Sequence, residues 1–141
     1  MIYADTSVLV KRYIEEPFSS EVEALLENST LVISSLTVVE VRCALARRRR
    51  NREIDVLRES RVNAELATDI QTGSLRVGEI DAGHFTTAYH LIGRLAELPL
   101  RTLDALHLAA AEQANVSGFA TADKTQADAA AALGFTVHRF Y

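Results

Sequence analysis

Five short, mostly apolar runs, at residues 2–4, 31–33, 75–77, 118–121 and 135–140, are separated by longer stretches with helical spacing. Runs of three to six such residues suit strands better than helices, and apolar side chains at consecutive positions need cover on both faces of a sheet. Strands that alternate with helices in this way form a mainly parallel sheet between two helical layers. The expected fold is therefore α/β, a three-layer α/β/α sandwich. A chain of 141 residues suits one domain, without a linker or an internal repeat.

The intervening helices announce themselves by cap, period and stop signals. Asp5-Thr6-Ser7 starts a helix carrying Val8, Leu9, Arg12 and Tyr13, and Pro17 ends it. Ser19 or Ser20 can cap the next, which turns Val22, Leu25 and Leu26 inward. A helix runs from about Leu36 to the arginine cluster at Arg47, and another spans residues 54–72 before Gly73-Ser74. Phe85, Ala88, Leu91, Ile92 and Leu95 repeat at spacings of three and four. Thr102 caps an alanine-rich helix to about Ala114, and residues 125–133 are helical up to Gly134.

The single cysteine, Cys43, cannot form an internal disulfide and reads as a small buried hydrophobe. With no Cys-x-x-Cys pair and four scattered histidines, a zinc site is excluded. The N-terminal residues lack the basic-then-apolar pattern of a signal peptide, and the longest uncharged, apolar-leaning stretch, from Asn28 up to Glu40, is too short to span a bilayer. A cytoplasmic protein without a membrane partner is expected. Fifteen basic and 19 acidic residues leave a net charge of -4, which argues against a surface coated with nucleic acid.

That sum conceals two opposite clusters. In an open parallel sheet, ligands bind beyond the carboxyl ends of the strands. Asp5 follows the first run, Asp123 the fourth, Glu40 lies early in the helix after the second, and Asp104 in the first turn of the Thr102 helix. Each has a plainer role open to it. Asp5 can be an N-cap, Asp123 with Gln126 and Thr37 with Glu40 resemble capping boxes, and Asp104 gains from the helix dipole. Glu40 and Asp104 nevertheless lie among apolar neighbours, where a carboxylate must be paired, protonated or bound to a cation. Oxygen ligands alone favour Mg²⁺ or Mn²⁺. Thr6, Ser7 and Thr121 are candidates to hydrogen-bond the acids or a phosphate, or to serve as caps.

The opposite charge is concentrated in Arg47, Arg48, Arg49, Arg50 and Arg52. One or two cations complement a helix C-terminus, whereas five exceed that need and suit RNA phosphates. Lys11, Arg12 and Arg101 fall near the same edge, with Arg12 able to pair with Glu15 or Glu16. His107, one turn after Asp104, reads as a structural histidine, and Tyr3, Tyr13 and Tyr89 as core or interface aromatics.

Four segments carry a family resemblance: Tyr3 through Val10, Ser35 through Val41, Leu103-Asp104-Ala105-Leu106-His107-Leu108-Ala109, and Ala120-Thr121-Ala122-Asp123. In that order they resemble PIN-domain ribonucleases, above all the VapC-type toxins of toxin–antitoxin pairs. The resemblance runs nearly end to end and is weakest over residues 52–77. It implies a Mg²⁺-dependent endoribonuclease, with Mn²⁺ as an alternative ion. Asp5 and Asp104 would then be direct ligands, with Glu40 and Asp123 holding waters or a second ion. It further implies an RNA substrate, a cognate antitoxin that blocks the acidic groove, and a homodimer. A non-catalytic PIN-like protein that binds RNA or a partner through the arginines is the rival, and retention of all four acids argues against it. A haloacid-dehalogenase phosphatase would need an acid where Ser7 stands, and no Gly-rich nucleotide loop occurs.

Overall fold

The structure, a computed structural model, describes residues 1–141. In chain order the elements are β1 (Ile2–Ala4), α1 (Thr6–Tyr13), α2 (Ser19–Glu27), β2 (Leu31–Ser34), α3 (Ser35–Arg50) and α4 (Val56–Thr72). β3 (Leu75–Gly78), α5 (Ala82–Arg94), α6 (Thr102–Gln113), β4 (Gly118–Thr121), α7 (Lys124–Ala132) and β5 (Thr136–Arg139) complete the chain. The strands form one sheet in the order β3-β2-β1-β4-β5, and all four ladders are parallel. The expected sandwich is observed, with no antiparallel strand at all.

Period-2 alternation divides the strand side chains between two cores. Ile2, Ala4, Leu31, Ile33 and Ala120 point to one face, where α1, α2, α3 and α4 bury Leu9, Val22, Leu45 and Leu66. Tyr3, Val32 and Phe119 point to the other, against α5, α6 and α7. The alanine-rich sequence of α6 now has a reason. Ala105, Leu106, His107, Leu108, Ala109, Ala110 and Ala111 are all buried, so this helix lies in the interior on every side and small residues let it approach the sheet.

Several expected boundaries shift, each for a local reason. Neither Ser19 nor Ser20 caps α2. Phe18 is the N-cap in a left-handed conformation (φ 72°), while the Ser19 hydroxyl donates to Lys11 O and accepts from Glu16 N. α4 starts two residues later than expected because Asp55 caps it, and Asp81 caps α5. Cys43 is exposed rather than buried. The buried stripe of α3 is Thr37, Val41 and Leu45, spaced by four, and Cys43 falls midway between two of its positions on the opposite side. No helix is long and apolar enough to cross a membrane.

The chain order places the topological switch point beside β1. From β1 the sheet grows outward through β2 to β3, then returns to the other flank of β1 as β4 and β5. Helix starts diverge there and leave a crevice at the carboxyl ends of β1 and β4.

Candidate active site

Asp5 leaves β1 in extended backbone geometry and caps α1, its Oδ1 accepting from Val8 N at 3.2 Å. One capping bond does not exhaust its contacts. Oδ1 also accepts from Ser7 Oγ at 2.5 Å, and Oδ2 from Thr121 Oγ1 at 2.5 Å. The carboxylate is buried without a basic partner, and that burial holds its pKa above the ordinary 3.8, with Ser7, Thr121, the His107 charge and Val8 N opposing the rise. Ser7 and Thr121 also bind backbone beyond β4, where Ser7 Oγ accepts from Ala122 N at 2.8 Å and Thr121 Oγ1 from Asp123 N at 2.9 Å. These two hydroxyls therefore tie the β1–α1 turn to the β4–α7 turn across the switch point.

Glu40 does not belong to a capping box. Ser34 is the N-cap of α3 and Thr37 its reciprocating partner, which leaves Glu40 more than a turn inside the helix. Its Oε1 instead accepts from Thr6 Oγ1 at 2.9 Å and from His107 Nε2 at 2.5 Å. Burial raises the Glu40 pKa, but the hydrogen bond and charge of His107, with the Thr6 bond, outweigh it and leave the value below 4.5.

Asp104 is the third residue of α6. The N-cap is Arg101, not Thr102, because Asp104 Oδ2 accepts from Arg101 N at 3.1 Å and from its Nε at 3.2 Å. Asp123 caps α7 through Oδ1, which accepts from Gln126 N at 2.8 Å. The expected box with Gln126 is only half formed, since the Gln126 side chain turns away and donates to Asp104 O at 3.2 Å.

All four acids line one cleft of about 420 Å³, together with Thr6, Ser7, Lys11 and Arg101. Glu40 Oε2, Asp104 Oδ1 and Asp123 Oδ2 accept no hydrogen bond from the protein. No three acidic or imidazole groups converge closely enough to enclose a metal ion by themselves. Free carboxylate oxygens at open spacing suit a hard cation that keeps several waters, as Mg²⁺ does, and not one that requires a closed protein cage. On this donor chemistry the residues fit a divalent cation.

The arginines of α3 divide. Arg47 and Arg48 both line the acidic cleft, and only Arg47 does so without an acidic partner. Arg48 is held by Glu16 and lies 3.8 Å from Glu53, and Arg49 Nε lies 2.7 Å from Glu59, so these two are partly neutralised. Arg50 and Arg52 are exposed and form no ion pair. Lys11 pairs with Glu16 at 3.2 Å. Arg12 pairs with neither Glu15 nor Glu16. It reaches Asp69 at 2.9 Å and Glu23 at 3.6 Å, and Tyr13 also donates to Asp69. A second polar cleft beside this trio, about 510 Å³, is lined by these paired charges and by Arg61, which forms no ion pair.

His107, expected from the sequence to be structural, lines the cleft and contacts both Glu40 and Tyr3. Its position three residues after Asp104 on α6 is the local signal that places it there.

Comparison with known proteins agrees with this architecture. The family model of the PIN domain matches residues 2–132. No curated protein sequence matches the chain. Among solved structures, a VapC toxin of Mycobacterium tuberculosis, described as cleaving the sarcin-ricin loop, superposes with a TM-score of 0.74 at 18% identity over 96% of this chain and 97% of that one. A VapBC complex of Rickettsia felis bound to a promoter DNA fragment gives 0.67 at 18% identity over the full length of both. A toxin–antitoxin complex of Klebsiella pneumoniae gives 0.63 at 19% identity over 87% of each. At these identities the likeness is one of fold.

Proposed function

The chain belongs to the PIN domain family, and from that premise we propose that it is the toxin of a toxin–antitoxin pair, a divalent-metal-dependent endoribonuclease acting in the cytoplasm. The observation that carries this reading is the convergence of Asp5, Glu40, Asp104 and Asp123 on one cleft at the sheet's switch point. Asp5 and Asp104 are the proposed direct ligands, with Glu40 and Asp123 acting through waters or on a second ion. A bound Mg²⁺ or Mn²⁺ supplies charge neutralisation at the phosphate and a more acidic water as nucleophile. Thr6, Ser7 and Thr121 orient the carboxylates by the hydrogen bonds already described, and Arg101 restrains Asp104.

RNA cleavage with Mg²⁺, with EDTA and by the Asp5→Asn protein tests the reading. Cleavage only in the first condition is expected. Binding without cleavage in all three would favour a non-catalytic RNA-binding role.

Arg47, Arg50 and Arg52 are the proposed phosphate contacts, because Arg48 and Arg49 are engaged by acids. Each phosphate contact adds about 0.7–0.9 to the salt slope of log affinity. The Arg47→Ala/Arg50→Ala/Arg52→Ala protein should therefore lose about 2 from that slope. An equal slope in wild type and variant, measured by fluorescence anisotropy, would remove the arginines from the interface.

The structural neighbours named as toxin–antitoxin complexes support an antitoxin partner. We assign it to the apolar groove between α3 and α4, where Val39 is exposed beside Val38, Leu66 and Ile70. This groove and the acidic cleft both draw on α3, through different residues of it. The apolar run Val8-Leu9-Val10 is buried and offers no such surface. A homodimer is proposed through α5, where Phe85, Tyr89 and Ile92 form an exposed stripe at spacings of four and three. Tyr89→Glu should shift sedimentation from dimer to monomer, and a wild type that sediments as a monomer would refute the assignment.

A further inference from the structure

Glu40 and His107 come from opposite helical layers, α3 and α6, and meet over the end of the sheet. His107 is 4% exposed, and its imidazole is fixed at both nitrogens. Nε2 lies 2.5 Å from Glu40 Oε1, and Nδ1 lies 2.8 Å from the Tyr3 hydroxyl. Tyr3 donates in turn to Ser34 Oγ at 3.0 Å. The Tyr3 ring is clamped as well, stacked on Phe119 at 5.4 Å and 24° and edge-on to His107 at 5.8 Å and 64°. A four-residue chain, Ser34–Tyr3–His107–Glu40, thus runs from the end of β2 through β1 and α6 to the cleft.

The chemistry fixes one proton in this chain. A nitrogen facing a carboxylate must carry its hydrogen, so Nε2–H donates to Glu40. Thr6 donates to the same Oε1 at 2.9 Å. Both protein donors therefore hold one oxygen and leave Oε2 without a protein partner. A glutamate has three rotatable side-chain bonds, and ordering such a chain costs entropy that these two bonds offset.

We infer that His107 is a positioning residue for the cleft, presenting Glu40 Oε2 toward a divalent cation or its waters, with Tyr3 and Ser34 holding the imidazole in place. This rests on the nuclease reading for its purpose, while its physical content is metal binding. Partners in the hydrogen-bonded layer behind a ligand change metal affinity or activity by about 10–100-fold when removed.

The test uses Mn²⁺ as probe, measured by calorimetric titration and electron paramagnetic resonance without RNA, with cleavage assayed separately. His107→Leu, which keeps bulk but no donor, should weaken Mn²⁺ binding by about 10–100-fold. His107→Gln, whose amide N–H can replace Nε2–H, should recover to within a few-fold of wild type. Tyr3→Phe should give a smaller loss of several-fold, which keeps the chain testable if His107→Leu does not fold. In metal-free wild type, the Nε2–H proton should resonate far downfield as a charge-assisted hydrogen bond, and move upfield in Glu40→Gln. Mn²⁺ affinity equal to wild type in a folded His107→Leu protein, or an Nε2–H signal unaffected by Glu40→Gln, overturns the inference. If wild type binds Mn²⁺ in this dependent manner but cuts no RNA, the inference stands and the nuclease reading fails.

Discussion

Asp5→Asn is expected to abolish RNA cleavage and to raise the melting temperature of the metal-free protein. A lost cation site removes several kcal/mol of transition-state stabilisation, a fall of at least about three orders of magnitude in rate. The stability change has the opposite sign because the two forms of the side chain fit the same hole differently. Asn keeps an oxygen for Val8 N and Ser7 Oγ, and its amide can donate to Thr121 Oγ1, so the cap survives without a buried charge. Asp5 titrates higher in the folded protein than its ordinary 3.8, because burial opposes ionisation. Its favourable contribution is complete below that ordinary value and is lost as pH rises through the higher folded value. The melting temperatures of variant and wild type should therefore converge near pH 4 and separate toward neutrality, by about 3–5 °C for each kcal/mol. Glu40 has the reverse sign, contributing above its ordinary 4.5 and losing that contribution as pH falls through its lowered folded value. Being common to both proteins, it cancels in the difference. Mg²⁺ at 100 times its dissociation constant should add about 2.7 kcal/mol to wild type and nearly nothing to the variant. Thermal scans over pH with and without Mg²⁺ check both signs, and a variant that cleaves at the wild-type rate would eliminate Asp5 as a ligand.

Thr121→Val is the second large effect, and here the loss is in folding. The hydroxyl donates to Asp5 Oδ2 and accepts from Asp123 N, and Thr121 is fully buried. Valine has the same shape but leaves a carboxylate oxygen and a backbone N–H unsatisfied together, at about 1–3 kcal/mol each. A total near 2–6 kcal/mol is a large share of the stability of a domain this size. With a donor gone, the Asp5 carboxyl should also titrate still higher. Thr121→Ser keeps the hydroxyl and should recover most of the stability in urea unfolding. Equal unfolding midpoints for the valine and serine proteins would show that the hydroxyl does not join the two turns.

Three of the acids were legible because each follows a strand or opens a helix, and those boundaries are local signals; Glu40, more than a turn inside α3, stood out only by its apolar neighbours. Asp5, Asp104 and Asp123 all act as caps or first-turn residues, which is how they come to face one edge. The partners of these acids were not legible. His107 meets Glu40 from 67 positions away, and Arg48 meets Glu16 across 32, so neither pairing leaves a trace in residue spacing. The start of α3 was ambiguous for another reason, since Ser34, Ser35 and Thr37 are all competent caps and the choice depends on where β2 stops. Cys43 was misplaced because α3 carries apolar residues around much of its circumference, which hides the phase of the buried stripe.

The central strand β1 is made first, yet its neighbour β4 is among the last strands to leave the ribosome. Asp5 cannot acquire its Thr121 bond, nor the cleft its Asp123, until that late segment closes the longest loop in the molecule. A nascent or prematurely terminated chain ending before Asp123 thus holds at most three of the four acids.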